Sequence, residues 1–332
     1  MAMADEALVT ALRTRLPLKE VVVFHCDHFE PYALDGAGVP IGAAHVAMLL
    51  SRLRAPERVG PPLSAFYGNQ AFYHHGGAWH HTHRVMEDES ILTELAAHDI
   101  DLHVHIHHEN WTREGRPETE CAALFEELLV KQLVYMRGRS KGLPAGGRWA
   151  FVHGCWALQA SDPRICNLTE EIGLLYKHGC CADFSFPAGR RHCDPLDKHP
   201  RWIDPYHSAG VKGYDTAPTA RHPAVGFLIW GSRVPFDAAS LDLLADGSTV
   251  PQVAVLNWLR SAPIIDQTLY IKTHAHSLAP TRWQDTRSTN TPLLCDAAQL
   301  AFVALTGVCQ EAGVPLQWRT VSEVLDCFLD AE

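Results

Sequence analysis

The run Asp101-Leu102-His103-Val104-His105-Ile106-His107-His108 places three imidazoles at alternate positions of an otherwise apolar stretch. Successive side chains of a strand point to opposite faces, so His103, His105 and His107 share one face. Three such groups are costly to bury unless they share a metal ion or a hydrogen-bond network. Neutral imidazole is the commonest metal ligand. The run therefore predicts a metal site, with His103 and His107 as ligands where the chain curls at the strand's end and His105 supporting them from behind. A fortuitous histidine run and a zinc site of purely structural role are the plainer alternatives.

Four further groups could complete such a site. Val21-Val22-Val23-Phe24 reads as a buried strand opening into His25-Cys26-Asp27-His28-Phe29-Glu30. Asp27, at the end of that strand, is placed to complete a His/His/Asp set with positions left open for water. Capping a turn is its duller alternative. A late apolar run ends in Thr273-His274-Ala275-His276, which offers a further ligand or a general acid, since imidazole titrates near neutral pH. In Phe151-Val152-His153-Gly154-Cys155-Trp156 the glycine lets backbone approach a ligand and the indole offers a stacking face. The last group is Cys181-Ala182-Asp183-Phe184-Ser185-Phe186-Pro187. His153, Trp156 and Asp183 are the candidate substrate contacts. The chain holds 21 histidines in all, with His74-His75 and His80-His81-x-His83 as further clusters.

Elements must carry these groups. Helical spacing is clear in Val46, Leu49, Leu50 and Leu53, in Leu124, Leu128, Leu129 and Leu133, and over 168–178 and 297–312. Ser90 reads as the cap of a helix over 91–97. Strands are expected over 21–24, 100–106, 149–152, 225–230 and 269–273, with a strand or extended segment over 180–186, and the stretch 316–320 follows the last clear helix. Strands alternating with helices predict an α/β fold with a largely parallel sheet. No Gly-x-Gly-x-x-Gly or Walker-type loop follows a strand, which removes the main support for nucleotide binding. The irregular stretch 187–224 is long enough to cover a site.

The 332 residues, 47% hydrophobic and 20% charged, suit one globular domain over 1–332. A net charge of −10 argues against a nucleic-acid partner. Ten cysteines without a Cys-x-x-Cys pair read as buried thiols of a reducing compartment. No apolar run reaches membrane-spanning length, and the first twenty residues lack a secretory pattern. The expectation is a cytoplasmic protein with a diffusible small-molecule substrate and no membrane partner. A homo-oligomer is allowed.

Taken in order, the motifs resemble the polysaccharide deacetylase superfamily, the NodB-like carbohydrate esterases, over about residues 20–280. Residues 21–31 look like that family's aspartate motif, and His103 and His107 stand at its His-x-x-x-His metal spacing. The segment ending in Asp183-Phe184-Ser185 is similar to its Asp-x-Ser strand, and residues 269–276 to its last strand with a catalytic histidine. The resemblance implies a deformed (β/α) barrel and one divalent ion, zinc or another first-row metal, on Asp27, His103 and His107. It also implies hydrolysis of an N-acyl or O-acyl group, chiefly N-acetyl and hence a C–N bond other than a peptide bond; the cytoplasmic reading makes the substrate a soluble sugar, nucleotide-sugar or secondary-metabolite intermediate. Glu30 is the expected base, with His28 or His25 as alternatives, and His276 supported by His274 the expected acid. The family's adjacent aspartates are reduced here to Asp27 between Cys26 and His28, so the reverse assignment also stands, with Asp27 as base and His28 as third ligand. The strand at 151–156 lacks the family's arginine. The rival readings are an amidohydrolase or PHP-like metallohydrolase and a non-catalytic metal- or glycan-binding protein of the same fold.

Overall fold

The β-branched run at Val21 does not stop at Phe24. It continues as a ten-residue strand, β1, Glu20–Phe29, so the expected loop at His25 is strand and its side chains keep alternating. The computed structural model describes residues 5–30, 43–68, 71–73, 79–81, 89–137, 148–215, 226–277 and 291–329. Its other strands are β2 Ser64–Tyr67, β3 Ala71–Tyr73, β4 Trp79–His81, β5 Asp101–Ile106, β6 Trp149–His153, β7 Cys180–Asp183, β8 Arg201–Ile203, β9 Phe227–Ile229, β10 Ile264–Ile265, β11 Thr268–Ala275 and β12 Leu316–Arg319.

Nine strands form one row in the order β10-β11-β1-β2-β5-β6-β7-β9-β8, curled into a half-barrel, and β3 and β4 make a separate hairpin. Pairing along the row is parallel except at its two ends. The tenth strand, β12, pairs with Val21–Phe24 of β1, while β2 pairs with residues 26–29, so the two share the length of β1 between them. The α/β class and the parallel sheet agree with the sequence expectation.

Alternation divides the apolar residues into two layers. Val21, Val23, Phe29, Leu102, Val104, Ile106, Trp149, Phe151, Leu269 and Ile271 join a core with the helices Glu6–Arg13, Glu118–Arg137, Pro251–Ser261 and Asp296–Ala312. On the concave face, Val22, Phe24, Phe66, Val152, Trp230 and Tyr270 close around the helix Val321–Leu329. That helix buries Val321, Val324, Leu325 and Phe328, one stripe at helical spacing. It is pinned at the start of two strands. Val321 N–H donates to Ser64 Oγ at 2.8 Å, and Ser322 donates from N and Oγ to Asp101 at 3.1 and 2.5 Å. This closes the N-terminal end of the half-barrel and leaves the C-terminal strand ends for polar groups, where α/β sheets commonly bind ligands.

Other boundaries moved for local reasons. Ser90 lies inside the helix Glu89–Ala97 and not at its cap, and the helix expected over 168–178 is Glu171–Lys177. β11 runs to Ala275, so His274 is a strand residue. The stretch expected as irregular from 187 contains β8, and its part from 216 to 224 lies outside the described residues, as do His74, His75 and His83. No described helix is long and apolar enough to cross a membrane.

Candidate functional site

Register assembles the site. Phe29 pairs with Tyr67, and Tyr67 with Val104, so the next residues, Glu30, Gly68 and His105, stand in a row across three strand ends. A Cβ at Gly68 would lie 3.1 Å from His105 Cδ2 and 3.2 Å from Glu30 Cγ. Its absence lets the carboxylate reach across β2. Glu30 Oε1 lies 3.2 Å from His105 Nε2 and 2.8 Å from His107 Nε2. His105 Nδ1–H donates to the Val152 carbonyl at 2.7 Å, which leaves a lone pair on Nε2, facing an anionic oxygen. A cation between them resolves that opposition.

Glu30, His105 and His107 are buried, their ligand atoms lie within 4.8 Å of one another, and together they could hold a metal ion. Four-coordinate zinc with bonds of about 2.0–2.1 Å sets ligand atoms about 3.3 Å apart, close to the separations around Glu30. His107 Nδ1 lies 3.2 Å from Glu109 Oε2, and Cys155 Sγ lies 3.7 Å from Glu109 Oε1, forming an overlapping group. A Cβ on Gly154 would fall 2.6 Å from His107 Cγ, so glycine is what lets this turn seat the imidazole.

Beside these groups stand four rings. The His28 ring centroid is 4.9 Å from that of His105, 4.5 Å from His276 and 5.9 Å from His274. Trp156, half-buried, lies 5.9 Å from His28 and 6.2 Å from His276. Burial, reinforced by His276, His105 and His274, pushes the His28 pKa well below its ordinary value, so His28 is neutral. Burial also acts on His276, but Asp242 outweighs it. The Asp242 carboxylate accepts from Nδ1 at 2.8 Å, and the His276 pKa rises to about 9. Burial likewise opposes the charge on Glu30, yet His107 and His105 hold that carboxyl well below its usual range. His107 is raised well above its ordinary value by Glu109 and Glu30, against burial. Neither ring nitrogen of His274 has a hydrogen-bond partner among the described residues. Burial, with the Lys272 charge, keeps this ring neutral.

The expected ligand trio of Asp27, His103 and His107 is not brought together. Asp27 falls on the helix-covered face of β1 with His25, because the strand persists to Phe29. Its carboxylate accepts from the Ser277 hydroxyl and lies 3.2 Å from His25 Nε2. His103 sits a layer deeper than His105. Its Nδ1 accepts from Ala150 N–H at 3.1 Å and its Nε2–H donates to Asp101 at 3.1 Å, so both ring nitrogens are engaged. Only His107 of the three belongs to a candidate metal group among the described residues. The expected base, Glu30, lies within that group, while the expected acid, His276, stands beside it. His274 is close to His28 but not hydrogen-bonded to His276.

Of the expected substrate contacts, Trp156 stands at this site. His153 and Asp183 do not. His153 belongs to another buried group, and Asp183 is fully buried, accepting from Ser185 N at 3.0 Å and Oγ at 2.7 Å. Sequence reasoning missed the direct role open to His105, the spacing role of Gly68, and Asp242 and Glu109 as partners. Glu109 opens the helix Glu109–Arg113, beyond the reach of the strand's alternation, and nothing local marks Asp242. No family model matches the chain, and neither a curated protein nor a solved structure matches it.

Proposed function

We propose that the protein is a metal-dependent hydrolase that removes an acyl group, chiefly N-acetyl, from a soluble sugar, nucleotide-sugar or secondary-metabolite intermediate. One observation carries this reading. Two imidazoles 4.5 Å apart, His28 and His276, are pushed to opposite charge states beside a His/His/Glu group. Environments that separate the pKa values of neighbouring groups mark an acid and a base. His28, neutral, accepts the proton of the attacking water. His276, protonated at neutral pH and oriented by Asp242, donates a proton to the leaving nitrogen or oxygen.

Glu30, His105 and His107 would hold one divalent ion. Two nitrogens and a carboxylate oxygen suit zinc and other first-row metals. When bound, such an ion lowers the pKa of water and polarises an acyl carbonyl. Glu30, read from the sequence as the base, is in this arrangement a ligand, since one of its oxygens lies between two imidazoles. Trp156 supplies a flat apolar wall beside His28 and His276, against which a sugar ring can pack.

The test is release of acetate, or another small acid, from N-acylated amino sugars by metal-loaded protein. His276→Ala should retain its metal and lose turnover. Near-normal turnover in that variant would sink the assignment. Binding of these sugars by the parent without release of any acid would establish a non-catalytic protein instead.

A further inference from the structure

His108 follows His107 directly, and its side chain goes to the opposite side of the sheet. There it packs against Phe125 and Trp111, in the layer between sheet and helices. Its Nε2 lies 3.0 Å from His153 Nε2 and 3.2 Å from Glu171 Oε1, and His153 Nε2 lies 3.4 Å from the same oxygen. Cys166 Sγ is 3.7 Å from the other Glu171 oxygen. All four residues are at most 1% exposed, and their ligand atoms fall within 4.8 Å of one another.

We propose that His108, His153, Cys166 and Glu171 form a second metal site, closed and structural in kind, that takes zinc. Three of its contacts, 3.0–3.4 Å, match the edge of about 3.3 Å that tetrahedral zinc requires. Two imidazoles, a thiol and a carboxylate fill four positions and leave none for water, the mark of a structural site. The sulfur favours zinc over magnesium or calcium. His153 Nδ1 faces the Gly154 carbonyl and the Ala157 N–H, at 3.2 Å from the latter, which holds the ring with Nε2 toward His108 and Glu171. The remaining Glu171 oxygen is oriented by the Gln159 N–H at 2.8 Å, the support that ligating carboxylates usually have.

This site goes beyond the proposed hydrolysis and does not depend on it. Its ligands come from the ends of β5 and β6, from the loop at 166 and from the helix Glu171–Lys177. It therefore ties together the segments on both sides of the turn 154–156. That turn holds Cys155 and Trp156 at φ 57° and 58°, a region costly for side-chain-bearing residues. It also seats His107 through Gly154. The second ion would hold the strained turn that positions both a ligand of the first group and the indole beside it.

The experiment uses the whole protein, reconstituted with zinc and separately with cobalt(II). The parent should bind two equivalents and show a thiolate-to-cobalt charge-transfer band. Cys166→Ser should lose one equivalent and the band, Cys155→Ser should keep both, and His105→Ala should lose one equivalent with the band retained. Zinc-edge X-ray absorption on the unmutated protein, which needs no variant to fold, should find sulfur at about 2.3 Å from zinc. A parent with no sulfur–metal bond would overturn the proposal and leave a proton-sharing network of His108, His153 and Glu171. A band that survives Cys166→Ser but not Cys155→Ser would overturn it equally, by moving the thiolate to His107 and Glu109.

Discussion

Replacing Asp242 with asparagine should move the basic limb of the turnover–pH profile from near pH 9 to pH 6.5 or below. In the parent, Asp242 accepts from His276 Nδ1 at 2.8 Å and from its backbone N–H at 3.1 Å. Burial alone would lower the His276 pKa from its ordinary 6.5, and Asp242, with lesser help from Glu30 and Asp27, carries it to about 9. Asparagine keeps the shape and one acceptor but removes the charge. At pH 8 a group of pKa 9 is protonated to about 0.9, and one of pKa 6.5 to about 0.03. Turnover at pH 8 should therefore fall at least about thirty-fold, and the two proteins should converge as pH falls toward 5. His276→Ala should lose about a hundred to ten-thousand-fold at every pH, because the acid itself is gone. The assay is acid release from an N-acylated sugar across pH 5 to 10, with metal content checked at each point. A limb that stays near pH 9 in Asp242→Asn would refute the assignment, and so would a loss independent of pH. Stability gives a second reading. The raised pKa of His276 contributes stability that is full below pH 6.5 and lost as pH rises through about 9, so the variant's deficit should vanish in alkali.

Three further outcomes follow from the geometry. His105→Ala and His107→Ala should each cost the ion beside Glu30, while His103→Ala should keep it and lower Tm, as metal analysis and calorimetry would show; metal loss on removing His103 would return that residue to the ligand set. Gly68→Ala pushes a methyl to 3.1 and 3.2 Å from His105 and Glu30, and should weaken metal affinity about tenfold (about 1.4 kcal/mol) with little change in unfolding, since only one contact row must give; unchanged affinity would mean that Glu30 does not need to reach across β2. Burial opposes the charge on Asp101, but His103, Ser322 and Ser64 hold its carboxyl far below the usual 3.8, so its contribution is full above that value and lost as pH falls through the lower folded one. Asp101→Ala should cost about 3–5 kcal/mol in urea unfolding at pH 7, and the gap to the parent should narrow in strong acid.

Side-chain direction was legible from the sequence; depth was not. The period-2 argument places His103, His105 and His107 on one face, as β5 does. Which of them reaches an ion depends on how far each stands along the half-barrel. That is set by pairing with β2 and β6, whose partners are distant in sequence. His103 therefore meets Phe66, Asp101 and the Ala150 amide, while His105 meets Glu30. Asp27 failed for a related reason. Ending the first strand at Phe24 discards the alternation that separates His25 and Asp27 from His28 and Glu30. β2 is only four residues long, too short for a pattern of its own, and without it Gly68 has no visible task. Asp242 reaches His276 from the short helix Leu241–Ala245, through a contact that no local spacing encodes.

The same logic accounts for a pattern that looks redundant in the sequence, the doubled histidine at 107 and 108. Along the helix-facing row of β5 the residues are Leu102, Val104 and Ile106, and the next in that row is His108. Along the matching row of β6 they are Trp149, Phe151 and then His153. Ile106 and His153 are register partners, so the two rows change from apolar to imidazole at nearly the same level, and Glu171 waits there on the covering helix. Two strands that keep large apolar residues on a buried face and then both place histidine at one depth are spending burial on a shared partner, because neither imidazole could be buried there alone without cost. His107, one residue earlier, belongs to the other face and to Glu30. Consecutive histidines at a strand end thus serve two separate groups, a division that follows from alternation once the parallel neighbour of β5 is known.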